Sequence, residues 1–93
     1  MTVYVKDPGA RVDYMIDWGA AYLGDHYIVQ SVWSAAPDDD GSPLVDASSH
    51  DGRRTAVTLS GGAPGRTYDI TNRVTLSNGE VAERSLTINV EQR

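Results

Sequence analysis

Residues Gly65 to Val90 constrain this chain more than any other stretch, because they spell out in order a turn, an alternating strand, a hairpin turn and a second alternating strand. Tyr68, Ile70, Val74 and Leu76 fall on one parity, and Thr67, Asp69, Thr71, Arg73, Thr75 and Ser77 on the other. That is the pattern of a strand with one face in a core. Ser77-Asn78-Gly79-Glu80 offers residues that accept positive φ in a two-residue hairpin turn, and Leu86, Ile88 and Val90 resume the alternation beyond it. The chain is expected to close with an antiparallel hairpin.

Upstream the same grammar repeats, with no convincing amphipathic helix. Val3-Tyr4-Val5 reads as a first short strand ended by Asp7-Pro8-Gly9. Arg11 to Trp18 puts Val12, Tyr14, Ile16 and Trp18 on an inward face and Asp13, Met15 and Asp17 on an outward one. Gly19 to Asp25 is long enough for one helical or 3₁₀ turn. His26 to Ala36 is a strand of unsettled register, since Val29, Ser31 and Trp33 share one parity and Ile28 and Val32 the other. A bulge or burial on both faces would reconcile them. Leu44 to Ala47 reads as a short strand, Ser49-His50-Asp51-Gly52 as a polar loop, and Arg53 to Ser60 as a strand alternating through Thr55, Val57 and Leu59. About seven short strands separated by turns predict an all-β fold, an immunoglobulin-like antiparallel β-sandwich with Greek-key connections. Its expected core is Val12, Tyr14, Ile16, Val57, Leu59, Tyr68, Ile70, Val74, Leu86, Ile88 and Val90, with Trp33 beside them.

Length and charge narrow the functional classes. At 93 residues the expectation is one domain, residues 1–93, and a chain of this size buries roughly 60–65% of its unfolded surface, enough for a core but not for a deep pocket as well. Cysteine is absent, which removes disulfides, thiolate metal sites and thiol nucleophiles. The N-terminal residues resemble neither a signal nor a membrane span, so synthesis in the cytoplasm is expected. A net charge of −5 argues against nucleic acid and anionic membranes as partners.

The chemistry-bearing motifs are weak. Asp38-Asp39-Asp40-Gly41-Ser42 has carboxylates for calcium but lacks the spacing and terminal Glu of a calcium loop, and is read as a solvated turn. Ser49-His50-Asp51 contains the residue types of a hydrolytic triad, yet consecutive side chains diverge where a triad needs convergence. No catalytic, cofactor-binding or metal-ligating residue is assigned, and an enzyme is not expected. Three residues carry structural expectations. Tyr68, three residues after Gly65, matches a tyrosine corner whose hydroxyl bonds the preceding connection. Trp33 is expected in the core, and Asn72, between Ile70 and Val74, must be hydrogen-bonded to a neighbouring loop or strand.

Lys6-Asp7-Pro8, Val12 to Trp18, Leu23-Gly24-Asp25, Ile28, Ser31 and Trp33 resemble the bacteriophage fiber-tail adaptor proteins, as do Leu59 to Gly62, Gly65 to Tyr68, Thr71-Asn72 and Glu83-Arg84-Ser85. The likeness spans nearly the whole chain outside Pro37 to Arg53. It implies a non-enzymatic virion component of the tail region, made in the host cytoplasm, that helps join tail fibers to the tail. Phage tail and tail-fiber proteins would be its partners, with several copies around the tail. The family brings no site residues with it. Surface inference points to Tyr4, Met15, Asp13 and Asp17, because Met15 is an adaptable apolar side chain between two outward carboxylates. The alternative reading is an immunoglobulin-like adhesion or carbohydrate-binding module, with Tyr4, Tyr22 and Tyr27 as stacking residues.

Overall fold

The computed structural model describes residues 3–92. They form seven strands and one short helical turn: β1 (Val3–Lys6), β2 (Arg11–Asp17), α1 (Ala20–Leu23), β3 (Ile28–Ala36), β4 (Leu44–His50), β5 (Arg54–Ser60), β6 (Thr67–Leu76) and β7 (Val81–Val90). The strands make two sheets, one ordered β1-β7-β6-β3 and the other β2-β5-β4. Every pairing is antiparallel except that of β1 with β7. The chain is therefore mostly β.

The alternation read from the sequence is the alternation that packs. On β6, Tyr68, Ile70, Asn72, Val74 and Leu76 are buried while Thr67, Asp69 and Arg73 face solvent. Tyr14, Trp33, Val57, Leu59, Tyr68, Ile70, Leu86, Ile88 and Val90 form one apolar cluster between the sheets, with Val12 and Ile16 half-buried against it. A second cluster, Trp18, Leu23, Ile28, Val74 and Leu76, lies towards α1. Of these, only Val74 stands in the sequence-derived core list. The core thus extends beyond that list: the strand alternation already turned Trp18 and Leu76 inward, and the α1 turn adds Leu23.

Asn72 sits between sheets at full burial and uses its whole amide. Its Oδ1 accepts from Trp18 Nε1 at 3.1 Å and Thr55 Oγ1 at 2.7 Å. Its Nδ2 donates to Ser31 Oγ at 2.9 Å and to the Val32 carbonyl at 3.3 Å. At the other end of β6, the Tyr68 hydroxyl accepts from Ala63 N–H and donates to the Gly41 carbonyl, both at 3.1 Å. The first bond is the expected tie to the preceding connection, and the second fastens the β3–β4 loop as well.

Several local expectations are corrected. The β6–β7 connection is wider than a two-residue turn: Ser77–Glu80 all lie outside the strands, and Gly79 N–H donates to the Leu76 carbonyl at 2.9 Å. Only Gly79 takes a positive φ, of 91°. Asn78 instead uses its side chain to accept the Glu80 N–H at 3.0 Å. The polar segment Ser49-His50 is not loop but the end of β4, which is exposed along its whole length. The open register of β3 resolves through a bulge between Ile28 and Gln30, so that Ile28 and Trp33 both point inward and Val29 and Val32 outward. Lys6, unforeseen as a core residue, is buried and donates from Nζ to the carbonyls of Gly61 at 2.7 Å and Asp7 at 3.0 Å. Burial, the larger influence, lowers its pKa against the raising effect of Asp7 and Asp46.

Two substitutions test this packing. Leu86→Ala is expected to cost about 2–5 kcal/mol, as a truncation in a close-packed core. Asn72→Ala is expected to cost about 1–3 kcal/mol for each buried group it leaves unpaired. Urea unfolding should show a lower midpoint at unchanged slope for both, and unaltered midpoints would refute the packing described.

Candidate docking surface

The outward face of β2 is built by the strand's own period of two. Arg11, Asp13, Met15 and Asp17 project away from the core, opposite Ser60, Thr58, Ala56 and Arg54 of β5. Met15 is 58% exposed. Beside it, small residues on the neighbouring strands leave a shallow depression of about 330 Å³, lined by Asp13, Met15, Ala47, Ser49, Ala56 and Thr58. Ala47, Ser49 and Ala56 set its depth, because short side chains on β4 and β5 leave the sheet surface low where Met15 stands up.

Polar groups around this face are held by their neighbours. Asp13 Oδ1 accepts the Thr58 hydroxyl at 2.6 Å, and Asp17 Oδ1 accepts the Gly19 N–H at 2.9 Å. Asp46 pairs with Arg11 at 3.0 Å. Its carboxyl is held below the ordinary range by the Ser60 hydroxyl first and by Arg11 second. Asp51 is likewise lowered, by the backbone N–H groups of Arg53 and then Arg54, which donate to its Oδ1 at 2.8 and 2.7 Å.

Tyr4 comes from the other sheet, 38% exposed. Its ring packs tilted on Tyr14 with centroids 5.0 Å apart. Burial raises the Tyr14 hydroxyl pKa, with Tyr4 adding to the effect. A second depression, of about 270 Å³, is lined by Tyr4, Met15, Ile16, Asp17, Arg84, Ser85 and Leu86. Of the four residues singled out from sequence, three therefore meet along this groove, and Asp13 lies on the far side of Met15 in the first depression. The fourth wall was missed. Arg84 stands on the inward parity of β7, its guanidinium 4.4 Å from the Trp18 ring centroid and 5.2 Å from that of Tyr22. The available signal was a cation between Ala82 and Leu86, on the parity otherwise given to the core.

The other motifs resolve locally. Asp39 of the acidic loop takes the Gly41 N–H at 3.1 Å and pairs with Arg66 at 3.1 Å. His50 Nδ1 lies 3.3 Å from the Asp51 carbonyl, on the exposed strand β4. Tyr22 packs against Trp18 at 5.9 Å, whereas the Tyr27 backbone binds Ser77 of the β6–β7 turn.

The described residues thus form a mostly β chain with exposed apolar side chains among tethered carboxylates. The chain belongs to the family described as podophage GP4 fiber-tail adaptor protein gp77, whose model matches residues 6–89. That family is one of structural phage adaptors, not of enzymes. No curated protein matches the chain.

The lowered carboxyls give a pH dependence. Because Asp46 and Asp51 have folded pKa values below the reference of 3.8, the unfolded chain binds more protons at acid pH. Their stabilisation is complete above that reference and is lost as pH falls through the lower folded values. In thermal melts between neutral and acid pH, Asp46→Asn and Asp51→Asn should each flatten the acid decline. An acid limb unchanged in the double variant would show that other groups govern it.

Proposed function

We propose that this protein is a virion component that joins tail fibers to the phage tail through protein–protein contacts. The observation that carries the reading is the family match over residues 6–89. The fold suits it: 93 residues forming one domain, with a core between sheets and grooves too shallow to enclose a substrate. The strand order supports an immunoglobulin-like Greek-key sandwich, since β2 pairs with β5 across the β3–β4 excursion and β3 pairs with β6 in the opposite sheet. Several copies around the tail, synthesised in the host cytoplasm and docked there, complete the proposal.

Tyr4, Met15, Asp13 and Asp17 form the docking face. Met packs adaptably against a partner, and flanking carboxylates favour a receiving surface that carries basic residues. The net charge of −5 has the same consequence for encounter, which should slow as salt is raised. It also disfavours nucleic acid and anionic lipid as partners.

Mass spectrometry of purified particles tests the reading. Wild-type protein should be present, and a Met15→Glu, Tyr4→Ala variant should melt near wild type yet enter particles or retain fibers poorly. Absence of the wild-type protein from virions would overturn the adaptor reading. Normal assembly by the variant would move the contact to another face.

A further inference from the structure

Strand β4 separates two charged ends. Its first residue, Leu44, follows the acidic loop 37–43, and its last, His50, leads into the turn 51–53. Seven residues of strand set the two connections roughly 20 Å apart. They stand at opposite ends of a molecule 43 Å long.

Each end is fixed by its own hydrogen bonds and leaves charge free. In the acidic loop Asp39 is engaged internally: its carboxylate accepts the Gly41 N–H and pairs with Arg66, and its own N–H donates to the Ser42 hydroxyl at 2.8 Å. The Tyr68 hydroxyl fastens the Gly41 carbonyl. Asp38 and Asp40 are exposed on either side, with no hydrogen-bond or ion-pair partner among the described residues. At the other end Asp51 is the organiser, taking the N–H groups of Arg53 and Arg54 on one oxygen. The Arg54 guanidinium lies 3.5 Å from the other oxygen, and that of Arg53 has no partner among the described residues.

The two arginines line a depression of about 400 Å³ together with Asp17, Gly19, Ala20 and Asp51. Both carboxylates there are already engaged, Asp17 by the Gly19 N–H. The arginines are therefore the groups left to meet a docked carboxylate. Apolar side chains stand beside both ends. Leu44, at the exit of the acidic loop, is 65% exposed, more than any other large apolar residue described. Tyr27 is 55% exposed, and its Cβ lies 3.4 Å from where a Cβ on Gly52 would be, which sets the side chain beside the arginine turn. Exposed ion pairs alone hold surfaces together weakly, so apolar area next to them matters.

We propose that the acidic loop of one copy docks in the arginine cleft of a second copy. Asp38 and Asp40 meet Arg53 and Arg54, and Leu44 packs against Tyr27. The occupant is this same chain because it carries both halves of the match, free carboxylates on a fixed loop at one end and arginines over a cleft at the other. Both connections are fixed in the free protein, so docking orders little. The two surfaces differ, which makes the contact head-to-tail and repeats it from copy to copy. The inference rests on the proposal that several copies sit around the tail and names the contact between neighbours.

Sedimentation of full-length protein up to about 1 mM tests it. Wild type should associate beyond dimers as concentration rises. Arg53→Ser with Arg54→Ser, or Asp38→Asn with Asp40→Asn, should melt as wild type and weaken association about tenfold or more. Arg73→Ser, at an exposed arginine outside the cleft, should not. Each double variant disables one end only, so mixing the two should restore association and stop it at dimers. The chain has no cysteine, which allows a trap: Asp40→Cys with Arg53→Cys in one chain should oxidise to a ladder of linked copies, in solution and in purified virions, and neither single substitution should pass dimers. Wild type that stops at dimers, or stays monomeric with no ladder in virions that contain the protein, would overturn the contact. So would association left unchanged by both double variants. If the arginine variant loses tail or fiber proteins from particles while free copies never associate, the cleft receives a tail protein, and the copy-to-copy contact fails while the adaptor reading stands. Absence of the protein from virions would instead sink the adaptor reading, and association in solution would still decide the contact.

Discussion

The Asn72 amide is the constraint on which the two-layer arrangement depends. An amide at full burial must have all its partners or cost about 1–3 kcal/mol, and Asn72 finds four from three different segments. Trp18 and Thr55 belong to the β2-β5-β4 side, Ser31 and Val32 to β3, and Asn72 itself to β6. Apolar packing between sheets is non-directional and tolerates sliding. A hydrogen-bonded hub does not, because a one-residue slip of β6 would bring Thr71 or Arg73 to the hub and turn the amide outward. Register across the layers is set where the two apolar clusters meet.

Tyr68 plays the matching part at the far end of the same strand, tying the β3–β4 and β5–β6 connections with one hydroxyl. Lys6 works nearby by the same logic, its ammonium capping the Gly61 carbonyl where two glycines of positive φ leave the backbone uncovered. Gly62 is needed there in its own right, since a Cβ would meet Val90 at 2.8 Å. Trp33 breaks the rule: its Nε1 is buried with no partner among the described residues. The cost of roughly 1–3 kcal/mol is outweighed by burying an aromatic ring of about 150–250 Å², worth roughly 4–6 kcal/mol at 25 cal/mol per Å².

Strands whose one face is core were legible because a period of two survives in the residues themselves, as in β2, β5 and β6. β4 was half-missed because an edge strand exposed on both faces has no alternation to read; its Ser49 and His50 look like loop until β5 is beside them. The closing antiparallel hairpin was legible, but its turn was misjudged by weighting Asn-Gly over the alternative, an Asn that caps with its side chain while Gly79 alone takes the positive φ. Met15 was legible as outward and unpaired. The groove beside it was not, because it depends on the pairing of β1 with β7, a long-range contact that no local pattern records.

Arg84 shows how a cation is accommodated on the inward parity of β7. Among the described residues β1 pairs with the last four residues of β7, and Arg84 stands on the inward parity before them, beside Trp18. An apolar residue at position 84 would add to an exposed patch. Arginine instead lays a flat, weakly hydrated cation over the Trp18 ring at 4.4 Å while its nitrogens reach carbonyls at the end of β2. Position 84 is thus filled by a cation whose plane lies on an aromatic ring and whose charge meets backbone carbonyls, where the strand's parity alone would call for an apolar side chain.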